Sequence, residues 1–175
     1  GVLLAAGARA DARDASPFTF QALHFAAVNG HAQAILALVR GGGARVGGRD
    51  RQARTALHWA AERGHAAAIR ALVEGGAEVD AVNQWRYTPL HRAAYEGHAG
   101  AVRELLAARA AVKAEDEHLR TPLLKAAQRA REEVCVLLLA AGADAGARDE
   151  EGKTSLELAA QAGGAATLLS LLRVA

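Results

Sequence analysis

The chain has 175 residues, 51% of them hydrophobic but only 4% aromatic, with a formal net charge of +2. So alanine-rich an apolar fraction suits many thin helix seams better than one bulky core, and the absence of any run of five basic residues argues against a nucleic-acid partner. A single cysteine, Cys135, leaves no disulfide framework and favours a reducing, cytoplasmic setting, while the longest apolar run, Val134 to Ala141, is far too short to cross a bilayer.

Residues 1–13 open with Val2-Leu3-Leu4-Ala5-Ala6-Gly7-Ala8, which reads as the second half of a unit whose first half is missing. The sequence is therefore expected to be a segment of a longer protein. Unit one, 14–49, should carry helices over about Ala22 to Val28 and Ala32 to Arg40. It runs three residues above the period seen later. Two of these fall around Ser16-Pro17-Phe18 and one in Gly41-Gly42-Gly43, in loops where insertions cost little.

Units two, three and four span 50–82, 83–115 and 116–148, and a truncated or capping unit five spans 149–175. Each opens on Asp50, Asn83, Asp116 or Asp149, residues that turn the chain by bonding their own backbone. The next segment is clearest in unit three, Thr88-Pro89-Leu90-His91-Arg92-Ala93-Ala94-Tyr95-Glu96-Gly97-His98. Thr88 offers a side-chain acceptor to the first turn, Pro89 fills a position whose N–H would be unsatisfied anyway, and Gly97 closes the helix in the left-handed region. Counterparts start at Thr55, Thr121 and Thr154, 33 residues apart, and at Gln21, 34 before Thr55. Helices this short are unstable alone, so five in-register copies predict a solenoid. Second helices such as Ala99–Ala108 and Glu132–Ala140 keep an apolar face through Ile69 with Leu72-Val73, Val102 with Leu105-Leu106, and Cys135 with Leu138-Leu139.

The pattern Asp-x-x-Gly-x-Thr-Pro-Leu-His-x-Ala-Ala-x-x-Gly-His resembles the ankyrin repeat family over nearly the whole chain. The resemblance implies an all-α solenoid of stacked antiparallel helix pairs with β-hairpin-like loops projecting at right angles. It also implies a protein-binding scaffold without catalysis or cofactor. The chain departs from the pattern at Ala53, Arg86 and Leu119, which replace the hairpin glycine, and at Arg109 and Ala130, which replace helix-ending glycines. If the backbone stays left-handed there, each costs on the order of 1 kcal/mol. The junction of units three and four is on that ground expected to be the softest.

The residues that suggest chemistry have plainer explanations. His24, His58 and His91 sit in the Thr-Pro-Leu-His place, and His31, His65 and His98 in the Gly-His place. Seven-residue pairs are not zinc spacing, and the family resemblance implies that the rings tie helix starts to neighbouring loops. His118 stands alone in a loop. Gly152-Lys153-Thr154 looks like the end of a phosphate-binding loop, but the required first glycine is Ala147. The chain's three serines suggest no nucleophilic triad, and Cys135 occupies a packing position. No enzyme is expected.

The aromatics point to binding. Phe25 and Trp59 take a place usually apolar and are assigned to packing. Trp85 and Tyr87 lie in the third hairpin, and Tyr95 lies where the first helix faces a groove, so these three are the expected anchors. Arg51, Arg54, Arg63, Arg120 and Arg129 form the polar rim, with Glu96 and Gln128 beside them. That composition suits a partner protein carrying acidic or phosphorylated groups. The alternative is a spacer or regulatory arm of a larger enzyme, channel or ubiquitin-ligase-type assembly. It would dock through apolar residues on the outer faces of second helices, Leu36, Val136 and Leu169, or through the apolar Leu168–Leu172 stretch at the end.

Overall fold

The computed structural model describes residues 21–41 and 44–174. The expectations for 1–13, for Ser16-Pro17-Phe18 and for the Gly42-Gly43 part of the connector lie outside those residues. Ten helices are described: α1 Ala22–Val28, α2 Ala32–Gly41, α3 Ala56–Glu62, α4 Ala66–Glu74, α5 Pro89–Glu96, α6 Ala99–Ala107, α7 Pro122–Gln128, α8 Glu132–Ala140, α9 Ser155–Gln161 and α10 Ala166–Val174.

The helix starts follow local chemistry. Thr88, Thr121 and Thr154 accept from the backbone N–H three residues on, and Pro89 and Pro122 occupy the first helical position. Gly97 ends α5 at φ 88°, and Gly76 and Gly142 carry φ 86° after α4 and α8. Ala77 and Ala143 then donate back to the Leu72 and Leu138 carbonyls.

First helices pack in one row, α1-α3-α5-α7-α9, and second helices in another, α2-α4-α6-α8-α10, with each pair closed on itself. Between the rows runs a continuous core of Leu23, Leu57, Leu90 and Leu123 with Ile35, Ile69, Leu72, Val102, Leu105, Cys135 and Leu138. Alanines at Ala60-Ala61, Ala93-Ala94 and Ala126-Ala127 are fully buried and let neighbouring helices approach closely. Burial pushes the Cys135 thiol up to about 12, and the side chain packs fully buried as a small apolar group.

Each hairpin loop closes on one residue. The Asp50, Asn83, Asp116 and Asp149 side chains each accept two backbone N–H bonds at 2.8–3.1 Å, from the second and fourth residues on. Successive loops are linked by Gln84 N–H to the Gln52 carbonyl, Glu117 to Trp85 and Glu150 to His118. In the last hairpin an isolated antiparallel bridge joins Arg148 and Thr154, and the loops are hairpin-like but too short for a sheet. All five expected non-glycine positions take the left-handed backbone: Ala53, Arg86, Arg109, Leu119 and Ala130, at φ 50–62°.

Candidate functional site

Five of the seven histidines, His24, His58, His65, His91 and His98, are structural ties. The Thr55 and Thr88 backbone N–H groups donate to Nδ1 of His58 and His91, so those rings are held as the Nε2–H tautomer. His24, His58 and His91 then donate through Nε2 to the carbonyls of Arg54, Tyr87 and Arg120 in the next loop. Burial drives His58 and His91 down to about 4, only partly offset by these bonds. His65 and His98 reach backward to the Val28 and Glu62 carbonyls. Where histidine is missing, Arg131 makes the same backward bond to Tyr95. Among the described residues no cluster could hold a metal ion. Lys153, in the stretch that looks like the end of a phosphate-binding loop, pairs with Glu151 at 2.6 Å within its hairpin.

The hairpin row and the first-helix row meet at an angle, and the angle is a groove. In its middle, Tyr87 and Arg120 from the hairpins and His91, Arg92, Tyr95, Lys125 and Gln128 from α5 and α7 enclose a cleft of about 280 Å³. A second cleft, of about 360 Å³, lies beside it and shares Tyr87 and Arg92; Arg54, Asn83, Trp85 and Glu117 complete its lining. A third, bounded by Arg120, Gln128, Lys153 and Leu158, adjoins on the other side. The Trp85 and Tyr87 rings stand 6.2 Å apart and tilted by 32°, and Tyr87 lies 6.1 Å from His91.

The structure gathers Trp85, Tyr87, Tyr95, Arg120 and Gln128 along one groove. Arg129, at the end of α7, lies over Tyr95 at 4.9 Å. Glu96 faces Arg92 at 3.7 Å. Arg51 and Arg63 are exposed but line none of these clefts. Arg54 lines the second cleft with its guanidinium already engaged: its Nε bonds Asp50 at 2.9 Å, a further N–H bonds Gln52, and the guanidinium lies 3.8 Å from the Trp59 ring centroid. Arg120 is likewise anchored to Asp116 at 3.2 Å. Trp59 packs as expected and donates its indole N–H to Asp50. Phe25 does not pack in the core; it is 45% exposed.

Sequence reasoning missed Lys125 and Arg92. Lys125 Nζ, on a side chain only 7% exposed, sits 3.2 Å from Asp116, 3.1 Å from the Tyr87 hydroxyl and 4.3 Å from that ring's centroid. Both residues hold the position before the Ala-Ala pair, which is Phe25, Trp59, Arg92, Lys125 and Leu158 along the chain. Two consecutive cations at a place that is apolar or aromatic in the other units were the available signal.

A family model described as ankyrin repeats matches the chain in three copies, over residues 2–83, 23–116 and 90–174. The chain belongs to the ankyrin repeat family. Ankyrin repeats generally mediate protein–protein interaction and are generally non-catalytic. No curated protein matches the chain. Among the described residues of this ankyrin array no helix is long and apolar enough to cross a membrane.

Proposed function

We propose that this array is a non-catalytic scaffold that binds a partner protein through the groove between its hairpins and first helices, in a reducing intracellular setting. The observation that carries the reading is the pair of adjoining clefts sharing Tyr87 and Arg92, flanked by Trp85 and Tyr95. These half-buried aromatics are held by packing and by Lys125, so little order is lost when a partner settles on them. The outer-face alternative has thin support: Val136 is 46% exposed, but Leu36 and Leu169 are half-buried against the core.

The test compares partner capture by the wild-type chain, by a Trp85→Ala/Tyr95→Ala pair and by Val136→Asp. Loss of the captured protein with the aromatic pair alone supports the groove. Loss with Val136→Asp alone would move the binding surface to the second helices.

A further inference from the structure

Three features of the central cleft remain unexplained by packing. Gln128 Oε1 is buried and has no hydrogen-bond partner, although it borders both the central cleft and its neighbour. Buried acceptors are almost always bonded, and one left open at the lip of a cleft points to a donor brought by something else. Arg129 is exposed, and among the described residues no carboxylate pairs with it; its guanidinium rests on Tyr95. Finally, the charges do not cancel. In and around the cleft Arg92, Arg120 and Lys125 are matched by the three carboxylates of Asp116, Glu62 and Glu96, and Arg129, resting on Tyr95 at the edge, leaves a net of +1.

We propose, building on the groove reading above, that this cleft receives the carboxylate side chain of an extended acidic partner segment. Arg129 and the outer face of Arg120 meet the carboxylate, and Gln128 Oε1 accepts a backbone N–H of the same segment. A side chain with one negative charge matches the net +1. A doubly charged phosphate would overshoot it and face the buried Asp116 carboxylate that already bonds Lys125 and Arg120.

The neighbouring cleft fixes a register. Packed helices lie about 8–10 Å apart, and a segment extended as polyproline II advances about 3.1 Å per residue with about three residues per turn, so side chains three residues apart share a face and match consecutive clefts. The side chain three positions from the acid therefore lands against Trp85 and is apolar.

Nuclear magnetic resonance titration of the 175-residue chain tests this. The probes are the blocked hexapeptide Ser-Leu-Ser-Thr-Glu-Ser, its counterpart with glutamine in place of glutamate, and one with phosphoserine there. The glutamate peptide is expected to shift the Gln128 side-chain amide, Arg129 Nε–H and Trp85 indole signals, and the glutamine peptide to bind about tenfold or more weakly. Arg129→Ala, at an exposed position, should cost a similar factor with unchanged backbone signals in α7. Equal binding of the glutamate and glutamine peptides, tighter binding of the phosphoserine peptide, or no shift at millimolar peptide each overturns the carboxylate assignment. If both uncharged and charged peptides move Trp85 equally, the groove reading survives that loss. If the shifts gather around Val136, both readings fall.

Discussion

Arg131 donates through Nε to the Tyr95 carbonyl at 3.2 Å, doing with a guanidinium what the imidazoles of His65 and His98 do for Val28 and Glu62. The bond pins the last turn of α5, which carries Tyr95 into the groove. Arg131→Ala should cost about 1–2 kcal/mol in urea unfolding, and Arg131→His should recover much of it, because the family's own solution fits the same space. A Cβ on Gly97 would come within 2.6 Å of the Arg131 side chain, so Gly97→Ala should be worse than its φ of 88° alone requires.

Acid should loosen the array before it protonates the carboxylates. His58 and His91 are held neutral, with burial pulling them from 6.5 to about 4. Because the folded value is the lower one, their contribution is present in full above the unfolded value and is lost as pH falls from about 6.5 to about 4. Each site contributes on the order of 3 kcal/mol at neutral pH. Urea midpoints measured at pH 7, 5.5 and 4 should fall stepwise, and His91→Gln should flatten part of the decline.

The Lys125–Asp116 pair should be asymmetric in its response. Asp116→Asn keeps a side chain that serves the same turn at Asn83, yet leaves a nearly buried ammonium without its counter-charge. Lys125→Met leaves Asp116 still bonded to Arg120 and two backbone amides. Thermal unfolding should therefore show the larger loss for Asp116→Asn, with Lys125→Met costing about 1–2 kcal/mol.

Five non-glycine residues spend backbone energy in the left-handed region. Arg86→Gly, Arg109→Gly and Leu119→Gly should each raise stability by up to about 1 kcal/mol, less the extra chain freedom glycine gives the unfolded state. Arg86 and Arg109 are clean tests, since neither replaced side chain has an ion pair among the described residues.

Strain alone puts the weak point at the third and fourth units, but the inter-repeat bonds shift it. That junction holds His91 to Arg120, Arg131 to Tyr95 and Glu117 to Trp85. In the next junction Leu124 replaces the histidine and Gly164 stands in the place of His98, so both ring ties are missing. Hydrogen exchange should therefore release α9 and α10 before α7 and α8. Earlier exchange in α7 would return the weak point to Ala130 and Arg109.

The helices were legible because their punctuation is local. Thr88, Pro89 and Gly97 act on neighbours within one or two turns, and a period of 33 repeats those signals until chance is excluded. The left-handed residues were legible for the same reason: the repeat states which position must turn, whatever residue fills it. Phe25 and Arg54 were not, because burial and ion pairing depend on what the adjacent unit presents. Neither was Lys125, whose neighbours Tyr87 and Asp116 lie 38 and 9 residues back along the chain.

By itself, then, the sequence determined the architecture: short capped helices that cannot stand alone must stack, and a fixed spacing sets how. Only the tertiary structure decided which charges remain free in the groove. A guanidinium whose Nε Asp50 or Asp116 has already bonded offers a partner at most its outer face, whereas Arg129, turned out over Tyr95, is open. That difference is a matter of distances between units, and spacing along one unit does not contain it.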